Sequence, residues 1–148
     1  MSRTLSFRGQ LAMGVEEMIP LSTMKGLVGY QIKKFEIMSS APGTSSVEYI
    51  AQIYKTQETT NVNTTPNFSD NRLLAVVYYQ DEAAPHYPSS QDVIFDNEIF
   101  NQNVYVNITD AGGGTNPCNY YIEMEQMDLA LDESTVATLK DIRNAGSQ

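Results

Sequence analysis

The sequence predicts an all-β, antiparallel single domain that ends in one short helix at about residues 132–143. The chain of 148 residues is rich in Tyr, Val, Ile and Thr, which favour strands. Runs of five to nine such residues are separated by Gly, Pro, Asn and Ser, which favour turns. Only the end of the chain changes to a helical period. A chain of this length can bury a core without disulfides or metals.

The strands follow from the alternation of apolar and polar residues. Residues 1–28 read as an irregular N-terminal segment with a short strand, because "GQLAMGVEEMIPLSTMKGLVG" indicates a long connection with a short edge strand or turn. The run Leu73–Tyr79, "LLAVVYY", is apolar on both faces, which is typical of a central strand covered twice. We expect strands at Thr4–Leu11, Gly29–Ser39, Val47–Thr56, Leu73–Gln80, Asp92–Phe95, Asn103–Thr109 and Asn119–Leu131.

The remaining segments are polar loops and the terminal helix. Residues 57–71, "QETTNVNTTPNFSDN", and "DEAAPHYPSSQ" are predicted surface loops. In "LDESTVATLKDIRN" apolar residues recur every three positions, Asp132 can cap the helix, and Lys140 lies near its carbonyl end. The apolar positions are Val136, Leu139 and Ile142. Residues 132–148 are therefore predicted to form a helix and a short tail.

Two segments share a plan of strand, small-residue loop and strand, and we expect each to form a hairpin. One is centred on Gly43 and the other, "NVYVNITDAGGGTNPCNYYIEMEQM", on Gly114. Each register gives an apolar face, as a half-buried hairpin requires. The first register pairs Phe35 with Ala51, Ile37 with Tyr49 and Ser39 with Val47. The second pairs Ile108 with Tyr120, Val106 with Ile122 and Val104 with Met124.

Charge and hydropathy argue against two classes of partner. The formal net charge is −9. Residues 1–90 carry eight acids and seven bases (net −1), and residues 91–148 carry ten acids and two bases (net −8). An acidic half without a basic, aromatic-interleaved stripe repels phosphates, so we expect no nucleic-acid ligand. No run approaches the ~20 apolar residues of a membrane span, and the start lacks the apolar core of a secretion signal. We expect no membrane association and retention in a cytoplasm.

The glycine-rich loop does not predict nucleotide binding. "AGGGTNPC" lacks the Gly-Lys-Ser/Thr ending of a phosphate loop, so its glycines are expected to serve backbone angles with φ above zero. Three Asn-x-Ser/Thr triplets begin at Asn63, Asn67 and Asn107. Without a signal peptide they predict no glycan.

Metal and acid chemistry are also weakly indicated. Cys118 excludes an intrachain disulfide, and as a thiol nucleophile it has only His86 as a basic partner. Zinc needs more Cys and His ligands than these two. Calcium could use the oxygens of "DNEIFNQN" at Asp96, Asn97, Glu98 and Asn101, but the calcium-loop pattern is missing. Glu123 and Glu125, with Asp128 nearby, face outward by alternation, where acids serve solubility and edge protection. We expect that the protein has no catalytic residue, binds no cofactor or metal, and is not an enzyme.

The nine tyrosines, in the absence of tryptophan, leave two interpretations open. Tyrosine is favoured in strands and interfaces, because it combines an apolar body with a hydroxyl. It also stacks on sugars. Tyr105 and Tyr121 are the candidate residues for an interface or a glycan contact.

Two stretches carry a resemblance to a known group of proteins. They are "QIKKFEIMSSAPGTSSVEYIAQIYKT" and the region from "DVIFDNEIFNQNVYVNITDAGG" to "CNYYIEMEQMDLALDESTVATLKDIRN". The resemblance as a whole covers residues ~25–143. They resemble small virion-associated proteins of marine tailed bacteriophages, including those that infect cyanobacteria and abundant ocean heterotrophs. The resemblance implies a virion structural component with a β-sandwich or jelly-roll fold. It brings no catalytic motif.

We therefore expect a virion protein, assembled in the host cytoplasm, that decorates or cements the capsid. Its expected partners are the major capsid protein and copies of itself as a homo-oligomer. One alternative is a component of the tail, neck or an appendage. A second is a carbohydrate-binding module for host adsorption, with a concave face built from Tyr105, Tyr121 and the 57–71 loop.

Overall fold

The computed structural model describes residues 3–21, 27–42, 46–57, 65–82, 89–95, 98–130, 137–140 and 142. The strands form two antiparallel sheets, a three-stranded sheet in the order β1-β8-β3 and a five-stranded sheet in the order β2-β7-β4-β5-β6. The all-β prediction is confirmed, and each predicted strand has a counterpart whose ends differ by at most three residues. The eight strands are β1 (Arg3–Leu11), β2 (Glu16–Ile19), β3 (Val28–Ser39), β4 (Ser46–Tyr54), β5 (Leu73–Glu82), β6 (Ser89–Ile94), β7 (Val104–Asp110) and β8 (Cys118–Asp128).

The strand pairs follow the ladder of a jelly roll. As in one long hairpin, β1 pairs with β8, β2 with β7 and β4 with β5. This hairpin is folded over, so that β8 also pairs with β3 and β7 with β4. The fourth pair of the ladder would join β3 to β6, but β6 forms its main-chain hydrogen bonds with β5 instead. In its place Tyr30 and Phe100 exchange two main-chain hydrogen bonds of 2.7 and 2.9 Å. The sandwich expected for the chain is therefore present, with a jelly-roll order of pairs.

One core fills the space between the two sheets. Alternate residues of every central strand face it, as the strand period of two requires. Six inward residues of β7 and β8 are exposed by 4% or less; they are Val104, Val106, Ile108, Tyr120, Ile122 and Met124. The largest fully buried residues of β3 and β4 are Phe35 and Tyr49, both with 0% exposure. The side chains predicted to form the apolar faces of the two hairpins are thus core residues.

The prediction that these segments form hairpins is wrong, because both connections cross from one sheet to the other. β7 lies in the five-stranded sheet and β8 in the three-stranded sheet, so Ile108 and Tyr120 enter the same core from different sheets. The hydrogen-bonding neighbours of Ile108 and Tyr120 are instead Ala51 and Ile37. The Gly43-centred hairpin fails in the same way, because β3 and β4 also lie in different sheets; residues 43–45 lie outside the described residues. Alternation identifies inward side chains but is the same for a hairpin and for an arch between sheets.

Asp110 organises the connection from β7 to β8. Its Oδ1 accepts hydrogen bonds from the N–H of Gly112 (2.8 Å) and of Glu48 (3.3 Å), which ties the loop to β4. Gly113 has a φ of 80°, as expected for a glycine that serves backbone geometry. A side chain at Gly114 would overlap the Asp110 carboxylate. The seven residues 111–117 are long enough to span the ~10 Å between stacked sheets.

The predicted helix near the C-terminus is present. Residues 137–140 and 142 are helical, inside the predicted range of 132–143; the other residues of that range lie outside the described part. The short strand β2 is an edge strand of the five-stranded sheet, so of the edge strand and the turn left open for this part of the N-terminal segment the structure has the strand. β1 and β3 are the edges of the other sheet.

Candidate interaction surfaces

Tyr121 lies on the outer face of the three-stranded sheet. The register places it between Arg8 on β1 and Glu36 on β3. Its hydroxyl donates a hydrogen bond to the Glu123 carboxylate (3.0 Å), and this bond raises the pKa of the Tyr121 hydroxyl. The ring is therefore one apolar element in a row of charged side chains.

The rest of this face is polar and mixed in charge. Glu123 and Glu125 both point outward, as the alternation predicted. Glu123 lies between Ser6 and Lys34 in the ladder. Glu125 forms an ion pair with Lys33 at 3.4 Å, with both side chains more than a third exposed. Because these side chains are exposed, the face is a solvated surface. An ion pair of this kind contributes about 0–1 kcal/mol to stability.

A shallow depression lies beside Tyr121 on the same face. Its volume of about 260 Å³ is below the range of roughly 300–1,000 Å³ typical of small-molecule sites, and it is open to solvent. Its lining residues are Glu36, Ile37, Met38, Asn119, Tyr120 and Tyr121. The depression offers no enclosed site for a ligand.

Tyr105 lies on the outer face of the other sheet. It is half-buried, and its neighbours in the ladder are Met18 on β2 and Tyr54 on β4. The structure therefore does not bring Tyr105 and Tyr121 together, because they lie on opposite outer faces of the sandwich. A single concave sugar-binding face that contains both tyrosines does not form.

This second outer face is more apolar and more buried than the first. A cluster distinct from the main core lies there, and its buried members are Ile50, Tyr54, Leu73 and Val76. The partly buried Tyr78 and Phe95 pack against this cluster. The prediction that β5 is covered on both faces is met, since Leu74 and Val77 belong to the main core while Leu73 and Val76 belong to this cluster.

A polar row crosses the same face. Glu16, Asn107 and Gln52 are successive neighbours across β2, β7 and β4. Asn107 and Gln52 have 0% exposure. Gln52 Oε1 accepts a hydrogen bond from the Tyr54 hydroxyl at 2.7 Å, whereas both amide atoms of Asn107 have no hydrogen-bond partner in the described part of the protein. This row interrupts the apolar surface and fixes the orientation of the Tyr54 ring.

The lone thiol is buried. Cys118 begins β8 with 0% exposure, and its Sγ donates to the carbonyl of Met38 at 3.6 Å. Burial raises the pKa of the Cys118 thiol to about 12. A thiol of this kind is a small core residue, because the reactive species is the thiolate. Residue 86, the histidine considered as its partner, lies outside the described residues.

The oxygens considered for calcium have protein partners. The Glu98 carboxylate binds the ammonium groups of Lys55 and Lys140, and the Asn101 amide donates to Thr138 Oγ1 at 2.6 Å. Residues 96 and 97 are outside the described set. Within the described ranges there is no group of three or more His, Cys, Asp or Glu side chains that could hold a metal ion.

The same contacts fix the terminal helix on the sandwich. Lys140 reaches Glu98 at 2.9 Å, Thr138 reaches Asn101, and Ala137 is buried. Leu139 and Ile142 point away and are 61% and 60% exposed. We refer to these two residues as the terminal apolar patch. Their spacing predicted the helix, but no local signal in the sequence shows that this apolar pair faces solvent.

Comparisons with known proteins do not place the chain in a family. Neither the search of protein-family models nor the search of curated proteins finds a match. Among the described residues no helix is long and apolar enough to span a membrane.

Proposed function

We propose that the chain is a virion structural protein of a tailed bacteriophage, which binds the capsid shell as a decoration or cement protein. The observation that carries the proposal is the terminal apolar patch, in which Leu139 and Ile142 are 61% and 60% exposed on a helix that is itself anchored. Exposed apolar groups on an ordered element favour a protein partner. The resemblance to virion-associated phage proteins supplies the class of that partner.

The anchoring of the helix supports a preformed binding surface. The ion pair of Lys140 with Glu98 and the hydrogen bond of Asn101 to Thr138 hold the helix on the segment between β6 and β7. Ile99 lies on this segment and is 38% exposed, which adds apolar area beside the helix contacts. A surface that is fixed before binding loses less conformational freedom when the partner docks.

The mechanism of a cement protein is mass action. A protein that binds only the assembled shell shifts the equilibrium toward that shell, by about 2.7 kcal/mol per site at a free concentration of 100 times Kd. Such a protein needs a stable fold and a binding surface. The described residues supply a buried sandwich core and a fixed apolar patch.

Copy number in purified virions tests the assignment. Quantitative mass spectrometry of the particles should find tens to hundreds of copies per virion. A count near six or twelve would instead assign the protein to the tail or neck, and its absence from particles would overturn a virion role.

A paired variant tests the surface. Leu139→Glu with Ile142→Glu should abolish binding of the purified protein to shells that lack it, measured by co-sedimentation. Met38→Glu is the matched control, because Met38 is 55% exposed but lies on the outer face of the three-stranded sheet. If the double variant bound to the shells as well as the control does, the patch would have no role in binding.

A further inference from the structure

We propose that β1 is an interface strand, whose outer edge pairs antiparallel with β1 of a second copy of this chain. A two-fold axis then joins two three-stranded sheets into one six-stranded sheet. The inference rests on the fold and does not depend on the capsid proposal.

The argument begins with the other edges, which carry features that prevent strand pairing. Short strands, bulges, lysines, prolines and inward-pointing charges are the known devices. β2 has four residues and is followed by Pro20. β3 has a bulge at Ile32/Lys34, flanked by exposed lysines. On β6, Asp92 is opposite the core residue Val77, which makes it an inward-side charge.

β1 carries only one of these devices, at its first position. It has nine residues and pairs with β8 without a register shift from Arg3 to Leu11. It contains no proline and no lysine. Arg8 lies on the outer face, whereas Arg3 shares the inward side with Leu5 and Phe7 but stands at the start of the strand. Among the described strands no partner lies on its other side. A long regular edge of this kind is a template for another strand.

The inward side chains of β1 also gain from pairing. Leu5 and Phe7 pack against the main core but remain only partly buried, because the sheet ends at β1. A strand added at this edge would cover them. Buried apolar area contributes roughly 25 cal/mol per Å², so completing their burial favours association.

Pairing of β1 with itself is compatible in shape and charge. A two-fold axis at Ser6 or at Phe7 keeps the inward residues of both copies on the same side, since the side-chain period is two. With the axis at Phe7, Arg8 lies opposite Ser6 of the other copy, whose ladder neighbour is Glu123. With the axis at Ser6, Arg8 lies opposite Thr4 of the other copy, whose ladder neighbour is Glu125. Each register thus aligns Arg8 with a carboxylate of the second copy and places no like charges directly opposite.

One substitution separates the dimer from the fold. Ser6→Lys introduces a lysine opposite Glu123 within the same chain, which favours the monomer fold. In the dimer the new lysine lies opposite its own copy or opposite Arg8, depending on the register, so it is opposed by a like charge in both. The control is Gln91→Lys, which adds the same charge on the exposed edge strand β6.

Sedimentation velocity at low salt, over a wide range of concentrations, is the test. The unaltered chain and Gln91→Lys should form a dimer, and Ser6→Lys should raise its Kd about fivefold or more. A chain that stays monomeric at high concentration, or a dimer weakened equally by both substitutions, would overturn the proposal.

A cross-link locates the contact independently. Ser6→Cys treated with a short bis-maleimide should give a covalent dimer, whereas Gln91→Cys should not. The natural Cys118 gives little background because it is buried with a raised pKa. A dimer in solution that does not cross-link through position 6 would contradict the β1 interface.

Discussion

The Glu98 carboxylate binds both Lys55 and Lys140, which allows a quantitative test of how burial changes the contribution of an ion pair to stability. The side chain of Lys55 is 2% exposed and that of Glu98 is 13% exposed. Glu98 also binds Lys140, whose side chain is 47% exposed. One carboxylate therefore serves a buried and an exposed lysine. The two lysines should differ strongly in their contribution to stability, because water screens only the second.

The perturbation is Glu98→Gln, which keeps the shape of the side chain and removes its charge. The ammonium of Lys55 then stays buried beside a neutral amide in place of the Glu98 carboxylate. Breaking a buried ion pair by removing one partner costs about 3–5 kcal/mol. At about 2–4 °C per kcal/mol for a chain of this size, Tm should fall by roughly 6–20 °C.

The matched control is Lys140→Met. It removes the exposed partner of the same carboxylate and leaves Lys55 paired with Glu98. An exposed ion pair is worth about 0–1 kcal/mol, so the free energy of unfolding should change by no more than that. Urea unfolding followed by circular dichroism measures both variants on the same scale.

The pH dependence gives a second readout. Burial alone would raise the pKa of Glu98, but the hydrogen bonds and charges of Lys55 and Lys140 outweigh it and lower the pKa below the ordinary value of 4.5. A carboxyl group with a lowered folded-state pKa contributes stability above its unfolded-state pKa and loses it as pH falls through the folded-state pKa. The difference between Glu98→Gln and the unaltered protein should therefore be full at pH 7 and shrink progressively below about pH 4.5.

Two results would refute this reasoning. If Lys140→Met cost as much as Glu98→Gln, burial would not distinguish the two lysines. If the cost of Glu98→Gln were the same at pH 7 and at pH 3, it would not arise from the ionised carboxylate.

Two further predictions concern the three-stranded sheet. Gly9→Ala should destabilise the protein by roughly 1–3 kcal/mol in urea unfolding, since an added Cβ would lie 2.9 Å from the ring and the hydroxyl of Tyr120; an unchanged midpoint would show that this ring moves freely. Cys118 should resist a thiol-specific reagent such as dithionitrobenzoate at pH 8 in the folded protein and react fully in denaturant, because its Sγ is buried and its pKa is raised to about 12; a native-state rate close to that of free cysteine would contradict its burial.

The positions of the strands could be predicted from the sequence, because one side of each strand packs on the core. Residues such as Val106 and Ile122 alternate with polar neighbours, and this period directly reflects inward and outward directions. It does not identify which strands pair. The same alternation is compatible with a hairpin and with an arch, and the arches found here follow from pairings between distant strands, such as β1 with β8.

The same gap explains the outcome for the candidate surfaces. Tyr105 and Tyr121 both alternate with core residues and face outward, but from different sheets. The terminal apolar patch could not be predicted, since an apolar stripe on a helix usually faces the core. Here Ala137 faces inward and the helix is held by Lys140 and Thr138. Their partners Glu98 and Asn101 are about forty residues away in the chain, and only the fold brings them together.

The two proposed surfaces lie on different sides of the molecule, and their separation has a physical consequence. The terminal helix contacts residues 98–101, next to the β3 edge, where Phe100 bridges to Tyr30. β1 is the opposite edge of the same sheet, beyond β8. A dimer joined through β1 would therefore present two terminal apolar patches, one at each end of a continuous six-stranded sheet. On a symmetric shell with binding sites at a matching distance, the second contact becomes intramolecular, and avidity can exceed the single-site affinity by about 10²–10⁴-fold. The β-sheet interface between copies fixes the distance between the two patches, so under the proposed shell binding the gain in avidity depends on how well that distance matches the spacing of the binding sites.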